Sequence, residues 1–196
     1  MGNNLDSNYI KDLAAEMSKN SMIPYSDLPQ YDLFLSQVID FLNDKFTGDK
    51  YTNNIVQNYI KSEVITRPED GKKRGYTKLH LVQLVLLSYM RPILTTEEIK
   101  KVFSLAFNEI NDRSDDIISW ESAYKIFAEI QQESYDTILA KPIADDKKLD
   151  EIMNNFNLEE KDEDRIRVFI SVISLIAQAS AIKKLVQKIA NEYSAE

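Results

Sequence analysis

Six cations, Lys61, Arg67, Lys72, Lys73, Arg74 and Lys78, fall within 18 residues of a chain whose formal net charge is −8. Lysine and arginine at that density suit contact with phosphate. Directly before them, Thr52–Lys61 has helical spacing, with Ile55, Val56, Tyr59 and Ile60 toward one side and Asn53, Asn54, Gln57 and Asn58 toward the other. Asparagine and glutamine carry the donor and acceptor that match adenine in a major groove. The expectation is therefore a reading helix followed by a basic turn. Asn53, Asn54, Gln57 and Asn58 would meet base edges, and the six cations would hold phosphates. The plain alternative is a solvated turn whose lysines serve solubility, and composition alone leaves the two balanced.

Other chemistry finds little to work with. His80 is the only histidine and there is no cysteine. A thiolate nucleophile, a disulfide and a Cys/His metal site are excluded, so no metal, no cofactor and no catalytic residue is expected. His80 lies three residues past Thr77, at the start of an apolar run, where a structural or capping role is expected. The carboxylates fall in charged runs such as Asp145-Asp146 and Glu159–Asp164, which read as solvated surface. Gly71-Lys72-Lys73-Arg74-Gly75 lacks the order of a P-loop. An enzyme is not expected, a carboxylate-only hydrolase being the one class left open.

The charge is unevenly spread. Residues 1–50 carry 4 cations and 8 anions, residues 51–113 carry 10 and 7, and residues 114–196 carry 10 and 17, giving −4, +3 and −7. Screening confines such fields to roughly 10 Å, so one basic face can act inside an acidic protein. With 196 residues and 43% apolar content, a sizeable core is available. Few glycines and prolines argue against a turn-rich β fold. The first residues show no secretory pattern. The uncharged run Val168–Ile182, broken by Ser171, Ser174, Gln178 and Ser180, is shorter than the roughly 20 apolar residues of a membrane span. It is expected to be a buried helix, with no membrane partner and a cytoplasmic location.

The elements that would position the basic turn are helical. Apolar spacing predicts helices over Asp6–Lys19, Tyr31–Phe46, Thr52–Lys61, Thr77–Met90, a stretch from Thr95, a stretch from about Ser119, and Glu160–Tyr193, with a short one at Leu149–Leu158. Thr52 is an N-cap signal, and Thr95 with Glu98 has the capping-box spacing. Thr77–Met90 is apolar nearly all round, which predicts a central core helix. Between the third and fourth helices, Val64–Arg67 and Lys73–Tyr76 are expected to form a small β-ribbon around Glu69-Asp70-Gly71.

Several of these segments resemble a bacterial family known as domain of unknown function 1836: Leu28-Pro29 with Asp32–Val38, Thr52–Lys61, Pro68 with Lys72–Thr77, and His80-Leu81 with Ile93–Ile99. The likeness spans roughly residues 25–110. Part of it is also similar to the winged helix-turn-helix of MerR-type regulators, where a helix ending in Tyr precedes a small wing and an Arg-x-Tyr-Thr segment opens the next helix. Tyr59, Arg74, Tyr76 and Thr77 occupy those positions. The resemblance implies that helix 52–61 enters a major groove, that Arg74 and its lysine neighbours hold phosphate, and that Tyr59 and Tyr76 anchor the wing. Gln57 stands where such helices usually carry Arg, and Glu63 where they usually carry Gly.

The resulting expectation is an all-α protein with a small β-ribbon wing and C-terminal helices. Residues 1–113 would form an N-terminal domain with the winged unit at about 31–108, and residues 114–196 a C-terminal region for dimerisation or an effector. The leading function is a DNA-binding transcriptional regulator. A helical protein-interaction module that never touches DNA is the alternative. Double-stranded DNA and a second copy, paired through helix 160–193, are the expected partners, although the same apolar width also fits intramolecular burial. A small-molecule effector lined by Tyr124, Tyr135 and Phe156 is a third reading, with ordinary core the plainer role for those aromatics.

Overall fold

The computed structural model describes residues 7–19, 22–46, 48–68, 75–140 and 160–192. Among these there are seven α-helices and no named strand: α1 Ser7–Lys19, α2 Leu35–Lys45, α3 Asn53–Lys61, α4 Lys78–Met90, α5 Thr96–Ser104, α6 Trp120–Ala140 and α7 Glu160–Glu192. The protein is mostly helical, as its apolar spacing predicts. The possible short helix at 149–158 lies outside the described residues.

The helix starts follow local hydrogen bonding. Thr52 Oγ1 accepts from the Ile55 amide at 3.3 Å. Thr95 and Glu98 close a reciprocal box, the Thr95 amide donating to Glu98 Oε2 at 2.8 Å and the Glu98 amide to Thr95 Oγ1 at 3.3 Å. At α4 the third-position side chain is His80, whose Nδ1 accepts from the Thr77 amide at 3.0 Å. Each contact satisfies an amide that a helix end otherwise leaves unpaired.

The contacts divide the chain into two units. The larger is Pro24–Phe127 with Leu185–Glu196, and the smaller is Met1–Ile23 with Ala128–Lys184. Residues 114–127, expected with the C-terminal region, thus fall in the larger unit, and residues 1–23 group with the smaller one.

In the larger unit α4 is the central element, buried without interruption from His80 to Ser88. Val38 and Leu42 of α2, Val56 of α3, Ile99 of α5 and Tyr124 of α6 join it in the core, each 1% exposed or less. Trp120 stacks on Phe107 with centroids 3.5 Å apart and meets Phe103 edge-on at 5.0 Å. The end of α7 belongs to this unit too. Ala190 is buried, and Asn191 Nδ2 donates to Glu98 Oε1 at 3.1 Å. Full burial of a side chain such as Leu42 or Ile99 stabilises by about 1.5–3 kcal/mol.

The smaller unit is built from α1, α6 beyond Phe127 and α7 up to Lys184. Ala14 and Ile170 are its buried apolar residues among those described, each 9% exposed, beside Ser18 and Ser171. Gln132 Nε2 donates to Ser18 Oγ at 2.8 Å. Val168–Ile182, expected to be buried, is largely exposed instead, including Phe169 and Ile176. By length and composition, Arg165–Glu192 meets the requirement for crossing a membrane, which the uncharged run alone does not.

Candidate nucleic-acid interface

The site lies within the larger unit and is built on α3. The loop before that helix is clasped from α2. Asn43 Nδ2 donates to the Tyr51 carbonyl at 3.0 Å, and the Tyr51 amide donates to Asn43 Oδ1 at 2.7 Å. Tyr51 is buried, its hydroxyl 2.8 Å from Ser88 Oγ and its ring 4.3 Å from the Arg91 guanidinium. Burial pushes the Tyr51 hydroxyl up to about 12, against the opposing pull of Ser88 and Arg91. Tyr51 is thereby a neutral peg that fixes the entry to α3.

Helix α3 is amphipathic as expected. Val56 and Ile60 face the core, while Asn53, Asn54, Asn58 and Lys61 are exposed. No acidic residue lies on the helix. Gln57 differs from its three neighbours. It is half-buried, and its Nε2 donates to Tyr76 Oη at 3.3 Å. It acts as a clamp on the segment leading into α4.

The helix ends in a tight reversal. The Glu63 amide donates to the Ile60 carbonyl at 3.1 Å, and the Val64 amide to the Tyr59 carbonyl at 2.9 Å. Those two bonds define a Schellman cap, which places one residue in the left-handed region. That residue is Glu63, with φ 57°. Its lack of a glycine is therefore a departure in residue type at a position whose backbone still has the glycine-favoured shape. The Glu63 carboxylate lies 3.4 Å from Arg67 Nη2 and 3.3 Å from Lys100 Nζ.

Beyond the cap, the described residues Thr66 and Arg67 are held by side-chain and loop contacts. The Thr66 amide donates to Gln83 Oε1 at 3.0 Å, Thr66 Oγ1 to the Ile110 carbonyl at 2.8 Å, and the Arg67 amide to Asn111 Oδ1 at 2.9 Å. Tyr76 instead bridges Leu33 in antiparallel fashion, with bonds of 2.8 and 3.2 Å. The expected pairing of Val64–Arg67 with Lys73–Tyr76 is replaced, where described, by side-chain anchors on one limb and Leu33 on the other. Lys72, Lys73 and Arg74 lie outside the described residues.

The remaining candidates are split. Lys61 and Arg67 are exposed on either side of the Glu63 turn. Lys78 is half-buried, with its Nζ 3.6 Å over the Tyr25 ring, and Lys125 lies 5.3 Å from the same ring. Its ammonium is engaged by an aromatic face rather than extended toward solvent. Tyr76 is buried, Tyr59 half-buried. Tyr59 feels the charge of Arg91, while Tyr76 meets His80 edge-on at 5.4 Å. Burial raises the pKa of both tyrosines.

His80 is buried, and desolvation lowers its pKa, with the Arg67 backbone, Asp32 and the Thr77 backbone opposing. Its Nε2 has no partner at full hydrogen-bond geometry. The residue caps α4 and supports Tyr76, the structural role its position predicts. Gln83, fully buried at the centre of α4, was not among the expected site residues. Its Nε2 donates to Thr66 Oγ1 at 2.8 Å, so one amide holds the limb that carries Arg67. A lone glutamine inside an apolar run is the sequence signal for such a buried partner. Of the aromatics considered for an effector, Tyr124 is fully buried in the larger unit, Tyr135 belongs to the smaller one, and Phe156 is outside the described residues. Among the described residues no His/Cys/Asp/Glu group has a metal-binding arrangement.

The class this defines is a small all-α unit in which one exposed polar helix is held between a clasped loop and a capped turn. The chain belongs to the family described as Domain of unknown function (DUF1836), whose model matches residues 23–127. That span almost coincides with the Pro24–Phe127 part of the larger unit. The chain is also similar to the uncharacterized protein YkrK of Bacillus subtilis (strain 168), 34% identical over 94 residues, covering 46% of this chain and 39% of that protein. The chain therefore matches well under half the length of that relative. No solved structure matches it.

Proposed function

We propose that this protein is a non-enzymatic, cytoplasmic DNA-binding regulator that reads a major groove with α3. One observation carries the reading: the exposed face of α3 presents Asn53, Asn54, Asn58 and Lys61 with no acid among them, while Gln57 fixes Tyr76 alongside. Groove entry needs a polar, protruding, rigidly held helix, and base-edge contacts need amide side chains. Phosphate contacts fall to Lys61 and Arg67 at the end of α3, and to Lys72, Lys73 and Arg74 in the segment that the winged, MerR-like reading treats as the wing. Gln57 has a positioning role in this version, and Lys78 a lesser one. Mobility-shift titration of the full chain against a pool of genomic fragments, at two salt concentrations, tests the reading. Salt-dependent retardation is expected, and replacing Lys72 and Lys73 by Glu should weaken it and flatten the salt slope by about one unit per lost phosphate contact. Absence of salt-sensitive retardation at micromolar protein removes the proposal.

The alternative, a protein- or peptide-binding module, has one observation in its favour. A cleft of about 690 Å³ in the larger unit is lined by Leu79, Val82, Ile117, Ile118 and Trp120 together with polar and charged residues that include Arg113, Asp116 and Glu121. Ile117 is 69% exposed there. Under that reading Ile117→Asp abolishes partner capture, whereas charge reversal at Lys72, Lys73 and Arg74 leaves it intact.

A further inference from the structure

The smaller unit leaves a continuous apolar seam on α7. Phe169, Val172, Ile173 and Ile176 are 59%, 48%, 43% and 61% exposed. Their i, i+3, i+4, i+7 spacing sets them on one stripe, the pattern by which one helix packs along another. Leu175 and Ile182, roughly 100° or more round the helix from the middle of this stripe, are exposed as well. Among its described residues the unit buries little in exchange, since Ala14 and Ile170 are each still 9% exposed. Four large side chains in one exposed row are a contiguous patch of the sort that marks an interface.

We propose that a second copy of this chain covers the seam, with the two α7 helices antiparallel about the midpoint between Val172 and Ile173. The charge pattern selects this occupant and this direction. Asp162 lies seven residues before Phe169 and Lys183 seven residues after Ile176, so both continue the stripe, one at each end. In an antiparallel pair Asp162 of each copy therefore comes level with Lys183 of the other, as Phe169 does with Ile176. The sequence around Asp162 is acidic, with Glu160, Glu163 and Asp164, and Lys184 follows Lys183. Arg165 and Arg167 come level with Ser180 and Gln178, so neither arginine meets a cation. A parallel pair would set acid against acid and lysine against lysine, which opposes association. A bilayer is the competing occupant, since Arg165–Glu192 is long and apolar enough to cross one, but only a second copy sets acid against lysine at both ends of the seam.

The proposal does not depend on DNA binding, and it is tested without DNA. Light scattering on the full chain at tens of micromolar is expected to give twice the chain mass. Ile173→Glu is expected to give the single-chain mass with unchanged far-UV helicity, because the site is exposed in the isolated chain. The chain has no cysteine, so single replacements report direction cleanly. Phe169→Cys and Ile176→Cys should form a disulfide-linked pair when mixed and oxidised, and neither should do so alone. A wild-type monomer at that concentration overturns the proposal, as does cross-linking of each variant with itself. Co-sedimentation with vesicles of equal neutral and anionic phospholipid, in place of self-association, also overturns it and assigns the seam to a lipid surface.

Discussion

The two units spend their apolar residues in opposite ways. In Pro24–Phe127 a helix that is apolar all round is surrounded, and Leu84, Val85 and Leu87 are fully buried. In the smaller unit α7 is also apolar over much of its circumference, yet Phe169 and Ile176 stay more than half exposed. The same composition therefore has two outcomes among the described residues, depending on the neighbours each helix meets. Around α4 these include α2, α3, α5 and α6, joined by polar clasps at Asn43, Gln83 and His80. The difference teaches that an apolar run in this protein does not by itself specify burial: in one unit it is covered by intramolecular neighbours, and among the described residues of the other it stays exposed.

The comparison breaks most directly at the core. Leu84→Ala is expected to cost about 2–5 kcal/mol in urea unfolding, because it opens a cavity among fully buried neighbours. Ile176→Ala should cost the isolated chain less than about 1 kcal/mol, since its side chain is already in water. Native-state hydrogen exchange should show the same split, with α4 amides exchanging through global unfolding and the α7 amides before Lys184 through smaller openings. Equal protection of the two helices would remove the distinction.

Next in size is the polar clasp. Gln83→Leu keeps the volume but leaves the Thr66 amide without its side-chain acceptor. A loss of about 1–3 kcal/mol is expected, with faster exchange at Thr66 and Arg67. A neutral result would mean that the Arg67 limb is held by Asn111 and Ile110 alone.

Acid should act on the larger unit through His80. Its folded pKa is lowered by burial, so the unfolded chain binds more protons below about pH 6.5 and stability rises with pH in that range. Acidification from neutrality is therefore expected to lower the melting temperature, until the pH falls below the folded pKa. His80→Gln retains an acceptor for the Thr77 amide and should flatten this slope relative to the parent. An unchanged slope would assign the acid sensitivity to carboxylates.

The smallest effect concerns the α3 cap. Glu63→Gly removes the strain of a left-handed Glu, worth about 1 kcal/mol, and also removes exposed ion pairs to Arg67 and Lys100 worth about 0–1 kcal/mol. A net gain of a few tenths of a kcal/mol is expected by thermal unfolding, and under the DNA-binding proposal stronger retardation as well, because Arg67 loses its carboxylate. A clear loss of stability would show that the Glu63 pairs matter more than the backbone.

What was legible in the sequence was local. The Thr52 and Thr95 caps join residues three positions apart, and both form as spaced. The apolar spacing located α3 and α4 to within a residue, and the alternation of Asn with Val56 and Ile60 foretold which face of α3 is exposed. His80 as a capping residue was legible for the same reason. A helix hydrogen-bonds within itself, so its start, end and faces are written in neighbouring residues. The tertiary structure alone decided the rest. Tyr76 pairs with Leu33 rather than with the Val64–Arg67 limb, Gln57 donates to the Tyr76 hydroxyl, and Gln83 reaches Thr66. It also decided that the apolar run of α7 stays exposed. Each of these depends on which distant segments meet. That choice belongs to the packing of the whole unit, where one amide or one apolar stripe has several chemically equal partners and geometry selects among them.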